Sequence, residues 1–235
     1  MADACRRAGV LLAEVFAHRL HPQNVRIKRM IDEGRIGKVL GMTSIHSSGP
    51  PRPGDIKLDR ALAGGALRDK GCYCINTARF ITGEEPVSVS ARVDYGETSG
   101  VDERVTALLE FPGGARVFFE TSFRLAPGGY NQGFEIFGEQ GRLRAPEGFV
   151  QLPTYRRAEI VNTAIYFTDH EGQTHQIDIP GAHQWKLQVE DFADRVAQGP
   201  PYGNSAEEGI LNMNVLDAVF RSGREGRPVR LRDHA

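Results

Sequence analysis

Residues 64–86 read GGALRDKGCYCINTARFITGEEP, and this stretch is predicted to form the helix around which the rest of the chain is organised. Its apolar and small residues recur at the spacing of one helix face. This face consists of Leu67, Gly71, Cys74, Ala78 and Ile81. A glycine at position 83, followed by Pro86, is typical of a helix C-terminus. The pattern therefore predicts an α-helix of about four turns that ends at Gly83.

A second face of this helix carries side chains that could perform chemistry. At about 100° per residue, that face contains Asp69, Tyr73, Asn76 and Phe80. A carboxylate and a phenol one turn apart can hydrogen-bond to a substrate hydroxyl or relay a proton from it. The alternative is a structural role, since an Asp in a first turn interacts with the helix dipole and a Tyr packs into a core. Spacing by itself favours the structural alternative.

Composition places the chain among ordinary globular proteins. It has 235 residues, of which 40% are hydrophobic and 25% charged, and a formal net charge of -1. This balance does not favour nucleic acid or a membrane surface as a partner. No apolar run approaches the roughly 18 residues of a membrane span, and residues 1–16 lack a signal-peptide pattern. We therefore expect a cytoplasmic protein with no nucleic-acid or membrane partner.

The cysteines and histidines do not predict a disulfide or a metal site. The chain has three cysteines, and Cys72 and Cys74 point apart on one helix. His18 and His21 form an H-x-x-H motif in a loop, but no third ligand follows at a suitable spacing. We therefore expect no metal ion.

The first residues have the pattern that ends a doubly wound α/β unit. Residues 3–8 are predicted to be helical, Gly9 to end that helix, and residues 10–17 to form a buried strand, because their apolar run does not alternate. Helix, glycine and strand in this order close a Rossmann-type unit. The sequence contains no G-x-G-x-x-G fingerprint. We expect residues 1–20 to be the remnant of an otherwise missing Rossmann domain, and residues 21–235 to form a second domain.

The rest of the chain favours an α+β domain. Residues 24–33 are predicted to be a helix, 39–46 a strand and 47–59 a loop rich in proline and glycine. Strands are predicted at residues 87–95, 103–111, 115–123 and 132–137, with shorter ones at 142–145, 150–155, 165–168 and 175–179. Strands without intervening helices indicate a mostly antiparallel open sheet with helices packed on one face. The other face must meet water or another subunit.

Two helices are predicted to end the chain. The first has an apolar stripe that consists of Trp185, Val189, Phe192 and Val196, and it ends at Gly199. Ser205 and Glu208 form a capping box that opens the last helix, which continues to Gly223. We expect Trp185 to lie in the core.

Two segments resemble a known enzyme family. The first contains Gly64, Gly65, Ala66, Leu67, Asp69, Gly71 and Tyr73. The second contains Glu14, Arg19, Leu20, His21, Pro22 and Gln23. Both resemble motifs of the Gfo/Idh/MocA oxidoreductases. The variant of the motif with a tyrosine resembles the branch that contains glucose-fructose oxidoreductase, NADP-dependent D-xylose dehydrogenase and dimeric dihydrodiol dehydrogenase. The resemblance covers nearly all of the chain, but it maps onto only the later part of that fold.

The resemblance implies an NAD(P)-dependent oxidoreductase that transfers hydride between the cofactor and a sugar, a related polyol or a dihydrodiol. It implies a glyceraldehyde-3-phosphate dehydrogenase-like C-terminal domain that forms a homodimer through its open sheet face. Tyr73 is implied to be the proton donor and acceptor, with Asp69 as its hydrogen-bonding neighbour. The implied substrate-binding residues are Arg19, His21, Lys57, Asn76 and His183. The implied contacts to NADP or NAD are Glu14, Arg19 and Pro22.

A tyrosine base needs a nearby cation, because an unperturbed phenol has a pKa of about 10. In the family a lysine of a Glu-Lys-Pro motif supplies that cation, and this sequence has no such motif. Lys70 therefore has two interpretations, a solvated charge at the helix surface or a partial replacement for the missing cation. The solvated interpretation is the simpler one.

Three hypotheses about function follow. In the first, which we favour, the chain is a truncated form of a sugar dehydrogenase and is inactive alone. In the second, it is one half of a split dehydrogenase whose Rossmann half is another polypeptide. In the third, it is a non-catalytic carbohydrate-binding or dimerisation module.

Overall fold

The computed structural model describes residues 1–14, 16–150, 160–199 and 206–231. The strands in these residues are β1 (Val39–Ser48), β2 (Ser88–Tyr95), β3 (Asp102–Glu110), β4 (Arg116–Ser122), β5 (Tyr130–Gly138), β6 (Gly141–Ala145), β7 (Thr163–Thr168), β8 (Thr174–Ile179) and β9 (Val229–Arg230). They form one open sheet in the order β8-β7-β6-β5-β1-β4-β3-β2-β9. β1 and β4 pair in parallel, and the other neighbours pair antiparallel. The predicted α+β class with a mostly antiparallel sheet is confirmed.

The α-helices of the described residues are α1 (Ala2–Ala8), α2 (Pro22–Asp32), α3 (Cys72–Thr82), α4 (Gln184–Gln198) and α5 (Ala206–Glu225). Short 3-10 helices span Ala17–Leu20 and Ile56–Leu58, and a π turn spans Leu67–Gly71. Within the described residues, no helix is both long and apolar enough to cross a bilayer.

Helices cover one face of the sheet and build the core there. Along β1, Met42, Ser44 and His46 are buried, whereas Thr43 between them is exposed. Such alternation directs every second side chain toward the helices. The opposite face carries polar side chains and an exposed aromatic residue, Phe118 of β4, at 45% exposure. The sheet therefore has one packed face and one open face, as predicted.

The central helix is present, and it begins with the π turn. The whole predicted apolar stripe, from Leu67 to Ile81, is buried. Gly83 ends the helix in the left-handed region with φ 69°, and its N–H donates to the carbonyl of Arg79 at 2.9 Å. The predicted apolar face and the predicted C-terminus are both confirmed. The π turn was not predicted, although such turns are frequent at functional sites.

An aspartate from β3 anchors the start of this helix. The Asp102 carboxylate accepts a hydrogen bond from the Leu67 N–H at 2.7 Å, and Asp102 is buried. Gly65 lies directly above it with φ 126°, and a Cβ at this position would be 1.9 Å from Asp102 Oδ1. Both the backbone conformation and the close approach therefore require glycine here.

We expect Gly65→Ala to lower the free energy of unfolding by about 3 kcal/mol or more, because strain at positive φ adds to the overlap with Asp102. Gly54 is a matched control, since it has φ 82° but open space around the added Cβ. Gly54→Ala should cost only about 1–2 kcal/mol. Urea unfolding followed by circular dichroism measures both losses. Equal losses in the two variants would show that the contact with Asp102 has no weight.

The strand predicted for residues 10–17 does not form in the described part of that range, residues 10–14, 16 and 17, and this prediction was wrong. Residues 10–14 and 16 belong to no helix or strand, and Ala17 begins a 3-10 helix. Val10 is 57% exposed, whereas Phe16 and Ala17 are buried. An apolar run becomes a strand only beside another strand, and no strand of the described residues lies beside this one. Helix α1 and its left-handed C-cap at Gly9 agree with the prediction.

Helix α4 forms as predicted, but its apolar stripe does not face the core. Val189, Phe192 and Val196 are 66%, 40% and 58% exposed. Trp185, expected in the core, is only partly buried. The amphipathic pattern located the helix, yet it could not say which surface the stripe would meet. The predicted cap at Ser205 and residues 151–155 of a predicted strand lie outside the described residues.

Candidate active site

Tyr73 lies in a cluster of rings at the start of α3. Its ring centroid is 5.5 Å from that of Phe16, 5.4 Å from that of His18 and 5.4 Å from that of His46. Phe149 completes the cluster at 6.3 Å. Phe16 and His18 belong to the segment that contains Arg19, so Tyr73 lies on the side of α3 that faces this segment. The two segments singled out in the sequence therefore meet at Tyr73.

Both histidines of the cluster are buried and held by hydrogen bonds. His18 Nε2 lies 2.9 Å from Thr77 Oγ1, and His46 Nε2 lies 2.7 Å from Tyr130 Oη. Burial lowers the pKa of His18 to about 3 and holds the pKa of His46 well below its usual value. Both rings are therefore neutral at neutral pH. The nitrogen His18 Nδ1 is buried and has no hydrogen-bond partner among the described residues.

Two lysines surround the Asp69 carboxylate. Lys57 Nζ lies 3.2 Å from Asp69 Oδ1, and Lys70 Nζ lies 3.6 Å from Asp69 Oδ2. Lys57 comes from the loop after β1, and its side chain is 41% exposed. These contacts keep Asp69 paired with a positive charge at the π turn.

Lys70 is buried, so the expectation of a solvated charge was wrong. Its side chain is 9% exposed, and Nζ lies 5.0 Å from the centre of the Tyr130 ring. Burial lowers the pKa of Lys70, and Asp69 counteracts that effect. The lysine faces Asp69 and Tyr130 instead of solvent. The sequence pattern assumes a regular helix surface, and it therefore gave the wrong environment for Lys70.

The Tyr73 hydroxyl is arranged to hold its proton. Burial raises its pKa above the usual value, and the nearby Cys72, Asp69 and Glu14 add to the effect. Tyr73 is consequently a neutral phenol at physiological pH, suited to donating a hydrogen bond or a proton. To act as a base it would require an additional cation close to the hydroxyl.

Arg19 belongs to an ionic cluster beside this site, in which the arginine side chains are largely buried and the carboxylates are partly exposed. Its guanidinium lies 5.0 Å from the centre of the Phe80 ring and donates to Glu208 and to the carbonyl of Asn76, both at 3.4 Å. Arg79 lies next to it, forms a bidentate pair with Glu85 at 2.6 and 2.7 Å and approaches Glu208 at 3.5 Å. The Arg19 side chain, only 10% exposed, thus joins the 3-10 helix to α3 and α5.

We expect Arg79→Met to destabilise the fold by about 2–3 kcal/mol, because the Arg79 side chain is only 2% exposed and the substitution removes its charge-assisted hydrogen bonds to Glu85. Arg104→Met is the matched control, since Arg104 also donates twice to a carboxylate, Glu120, but at an exposed position. That exposed pair should contribute less than about 1 kcal/mol. Chemical unfolding of the two variants gives the comparison, and equal losses would contradict the role of burial.

The remaining predicted site residues have well-defined places. His21 is fully buried, and its Nδ1 accepts the N–H of Gln23, so it caps α2, whose first residue is Pro22. Burial lowers the pKa of His21 to about 4. His183 caps α4 by accepting the N–H of Lys186 at 3.4 Å.

Glu14 and Asn76 carry buried oxygens at the edge of the site. Glu14 Oε2 and Asn76 Oδ1 are buried without a hydrogen-bond partner among the described residues. Burial raises the pKa of Glu14, while Arg79 and Arg19 counteract the effect. These two oxygens therefore lack the hydrogen-bond partner that buried polar atoms ordinarily have.

Sequence reasoning found one part of this site and missed another. Tyr73, Asp69 and Asn76 lie on the central helix as predicted, and Lys57 reaches Asp69 from its loop. His46, Tyr130 and Phe149 were missed, since local patterns carry no information on which distant segments of the chain become neighbours. His18 was considered only as a metal ligand. Within the described residues, no group of three or more potential ligand side chains could hold a metal ion.

Comparison with known proteins identifies the family. The GFO/IDH/MocA C-terminal domain matches residues 24–144. D-xylose 1-dehydrogenase (NADP(+)) 2 of Haloferax volcanii is 33% identical over 230 residues, which are 97% of this chain and 67% of that protein.

Solved structures of oxidoreductases have a similar fold. Aldose-aldose oxidoreductase from Caulobacter crescentus, complexed with glycerol, has a TM-score of 0.86 and 24% identity over 97% of this chain and 66% of that one. A 3-ketoreductase from Actinomadura kijaniata, in complex with NADP and TDP-benzene, has a TM-score of 0.83 and 25% identity over 94% of this chain and 65% of that one.

The chain spans about two thirds of the length of these relatives. The match covers residues from α2 through β6, and the relative of 33% identity aligns with nearly the whole chain, so sequence and fold lead to the same assignment. The chain therefore belongs to the GFO/IDH/MocA family of oxidoreductases.

Proposed function

We propose that this chain is the substrate-binding and proton-transferring part of an NAD(P)-dependent oxidoreductase that acts on a sugar, a related polyol or a dihydrodiol. The observation that carries the proposal is the position of Tyr73, a protonated phenol close to Asp69 and enclosed by Phe16, His18 and His46. The dehydrogenase names of relatives and the NADP in a similar structure support it.

The residues of this chain fit only one end of the cofactor. His18 Nδ1 and Glu14 Oε2 are buried without hydrogen-bond partners among the described residues, and the carboxamide of a nicotinamide is a polar group that would hydrogen-bond to such atoms. Arg19 would act through Glu208 and Phe80, since its guanidinium is engaged there. Pro22 would position the segment as the first residue of α2. The phosphates need a glycine-rich loop, which the sequence lacks.

Bound NAD or NADP supplies hydride transfer, and the chain supplies the accompanying proton transfer. When a carbonyl is reduced, Tyr73 donates its proton to the oxygen. When an alcohol is oxidised, Tyr73 accepts the proton only as a phenolate, which requires an additional cation close to its hydroxyl. Asp69, held by Lys57 and Lys70, accepts a hydrogen bond from a neighbouring substrate hydroxyl and orients the substrate. Asn76 offers a further acceptor, Oδ1, and we keep His21 and His183 as residues that support the pocket by capping α2 and α4.

The domain assignment is part of this proposal. We assign residues 1–20 to the end of a dinucleotide-binding domain and residues 21–235 to the substrate-binding domain. The exposed apolar stripe of α4 and the half-buried run at residues 11–14 support the idea that further protein covers this side. The dinucleotide-binding part would then be joined to this chain or carried by a separate polypeptide.

A homodimer through the open face of the sheet is also proposed. That face carries exposed Phe118 beside ion pairs such as Arg104–Glu120, a mixture found in protein interfaces. Phe118→Glu would place a charge at its centre. Analytical ultracentrifugation of wild type and variant tests this, and an unchanged sedimentation coefficient would contradict it.

We place the protein in the cytoplasm.

The test is turnover by the protein isolated from its own cells through a C-terminal affinity tag, so that any joined or bound part is retained. NAD(P)H fluorescence should rise with one member of a panel of aldoses, polyols and dihydrodiols. The proposal fails if no preparation reduces either nucleotide. Sugar binding without nucleotide binding or turnover would instead support a non-catalytic carbohydrate-binding module, the second candidate, which the buried unpaired oxygen of Asn76 also allows.

A further inference from the structure

A groove on the far side of the loop at residues 56–65 is rich in arginine. Its volume is about 1130 Å³, and it lies between this loop, the last turns of α5 and strands β2, β3 and β9. Its charged lining residues include Arg60, Arg68, Arg221, Arg224, Arg230 and Asp217. None of its lining residues belongs to the ring cluster around Tyr73. The groove is therefore separate from the candidate active site.

Most of the positive charges of this groove have no carboxylate partner among the described residues. Arg60, Arg221, Arg224 and Arg230 form no ion pair with any side chain of residues 1–14, 16–150, 160–199 and 206–231. Arg221 donates to the carbonyl of Arg230 at 3.2 Å, and this hydrogen bond joins the end of α5 to β9. By contrast, Arg104, Arg116 and Arg142 on the open sheet face each pair with a carboxylate.

The acidic residues of the groove do not cancel this charge. Asp102 is buried and already accepts the Leu67 N–H beneath Gly65. Asp217 is exposed on α5 and is one carboxylate among the arginines. Like charges that share a concave surface raise the local concentration of anions there. The planar guanidinium groups bind phosphate oxygens in bidentate fashion.

The walls and the rim of the groove have features of a ligand site. Tyr95 exposes 46% of its surface on one wall, and Arg68 lies 4.8 Å from the ring centre of Phe220 on the other. At the rim, Ala63 is the one non-glycine residue of the described part of the chain with positive φ, at 59°. Its N–H donates to the carbonyl of Arg60, so this strained turn holds Arg60 at the groove.

We propose that this groove binds a small ligand that carries two or more phosphate groups. Several arginines can each bind a separate phosphate oxygen, whereas a single phosphate would leave most of them unpaired. Asp217 accepts a hydrogen bond from a hydroxyl of the same ligand, and the Tyr95 ring packs against its apolar part. The volume of about 1130 Å³ lies just above the range of roughly 300–1,000 Å³ that is typical of small-molecule sites, so the groove has room for such a ligand. Sugar bisphosphates and nucleoside diphosphates share this chemistry.

Isothermal titration calorimetry at physiological ionic strength with inorganic pyrophosphate, fructose 1,6-bisphosphate and ADP tests the proposal. We expect one-to-one binding, and the tightest of the three ligands distinguishes the sugar class from the nucleotide class. Arg221→Gln/Arg224→Gln should weaken binding by roughly tenfold for each lost contact. Arg7→Gln/Arg52→Gln removes the same charge from positions outside the groove and should leave the affinity unchanged.

Asp217→Asn gives the opposite sign and separates binding from misfolding. Removal of the carboxylate should strengthen binding of pyrophosphate, which has no hydroxyl for Asp217 to bind, and a misfolded variant could not produce a gain. The proposal is overturned if none of the three ligands binds, if the groove variants leave the affinities unchanged, or if the control variant loses as much affinity as the groove variant.

Discussion

Tyr73→Phe should lower the kcat of the complete enzyme that contains this chain by about 10²–10⁴-fold, the usual effect of losing a general acid or base. The substitution removes one hydroxyl and keeps the ring. The contacts with Phe16, His18 and His46 are ring contacts and are retained. The affinity for NAD(P) should therefore be unchanged, and the loss should appear in kcat rather than in nucleotide binding.

Tyr166→Phe is the matched control, because this tyrosine lies on β7, where its ring packs against Arg144 away from the cluster. The Tyr166→Phe variant should have the same kcat as the unmodified enzyme. Stopped-flow measurement of hydride transfer together with nucleotide titration separates chemistry from binding. Near-normal turnover by Tyr73→Phe would remove Tyr73 from the mechanism. Because burial raises the Tyr73 pKa, reduction of a carbonyl should not lose its proton donor as the pH rises through the ordinary range of phenols.

Acid should destabilise this fold well above the pH at which carboxylates titrate. Three buried histidines, His18, His21 and His46, have pKa values below the value of about 6.5 that applies to the unfolded chain. Below that pH the unfolded state binds protons that the folded state does not bind, so stability falls as the pH falls. Each histidine should cost about 2 kcal/mol between pH 7 and pH 5.

Two carboxyl groups with raised pKa values, Glu14 and Asp102, act in the opposite direction, and Asp102 is the one whose contribution can be stated. Burial raises the pKa of Asp102 to about 6, so the folded state gains a proton there before the unfolded state does. Protonation of Asp102 adds back about 1 kcal/mol of stability at pH 5. The net loss in the free energy of unfolding between pH 7 and pH 5 is then about 4–5 kcal/mol. That is a large part of the stability of a typical domain, about 5–15 kcal/mol.

Urea titrations at pH 7 and pH 5 measure the difference in the free energy of unfolding. His46→Gln keeps a side chain that can bind the Tyr130 hydroxyl, and it should reduce the pH-dependent loss by about 2 kcal/mol. His170→Gln, at an exposed position in the turn between β7 and β8, should leave the loss unchanged. A stability that stays flat between these two pH values would show that the buried histidines do not govern acid unfolding.

Local patterns predicted most of the elements. The spacing of Leu67, Cys74 and Ala78 located the buried face of the central helix, and Gly83 located its end, because these signals depend only on neighbours in the chain. Strand alternation located β2 to β5 for the same reason. The strand prediction for residues 10–17 was wrong, since a strand requires a neighbouring strand and no local pattern shows whether one is present.

The sequence by itself determined the fold class, the central helix and the residues Tyr73 and Asp69 on one of its sides. Only the tertiary structure decided that His18 and His46 enclose Tyr73 and that Lys70 is buried between Asp69 and Tyr130. It also decided that arginines with no ion pair among the described residues gather in a groove away from Tyr73. The reason is physical, because periodicity describes which side of one element is apolar. The neighbours across that surface, and with them burial, charge and pKa, come from segments that are far apart in the chain.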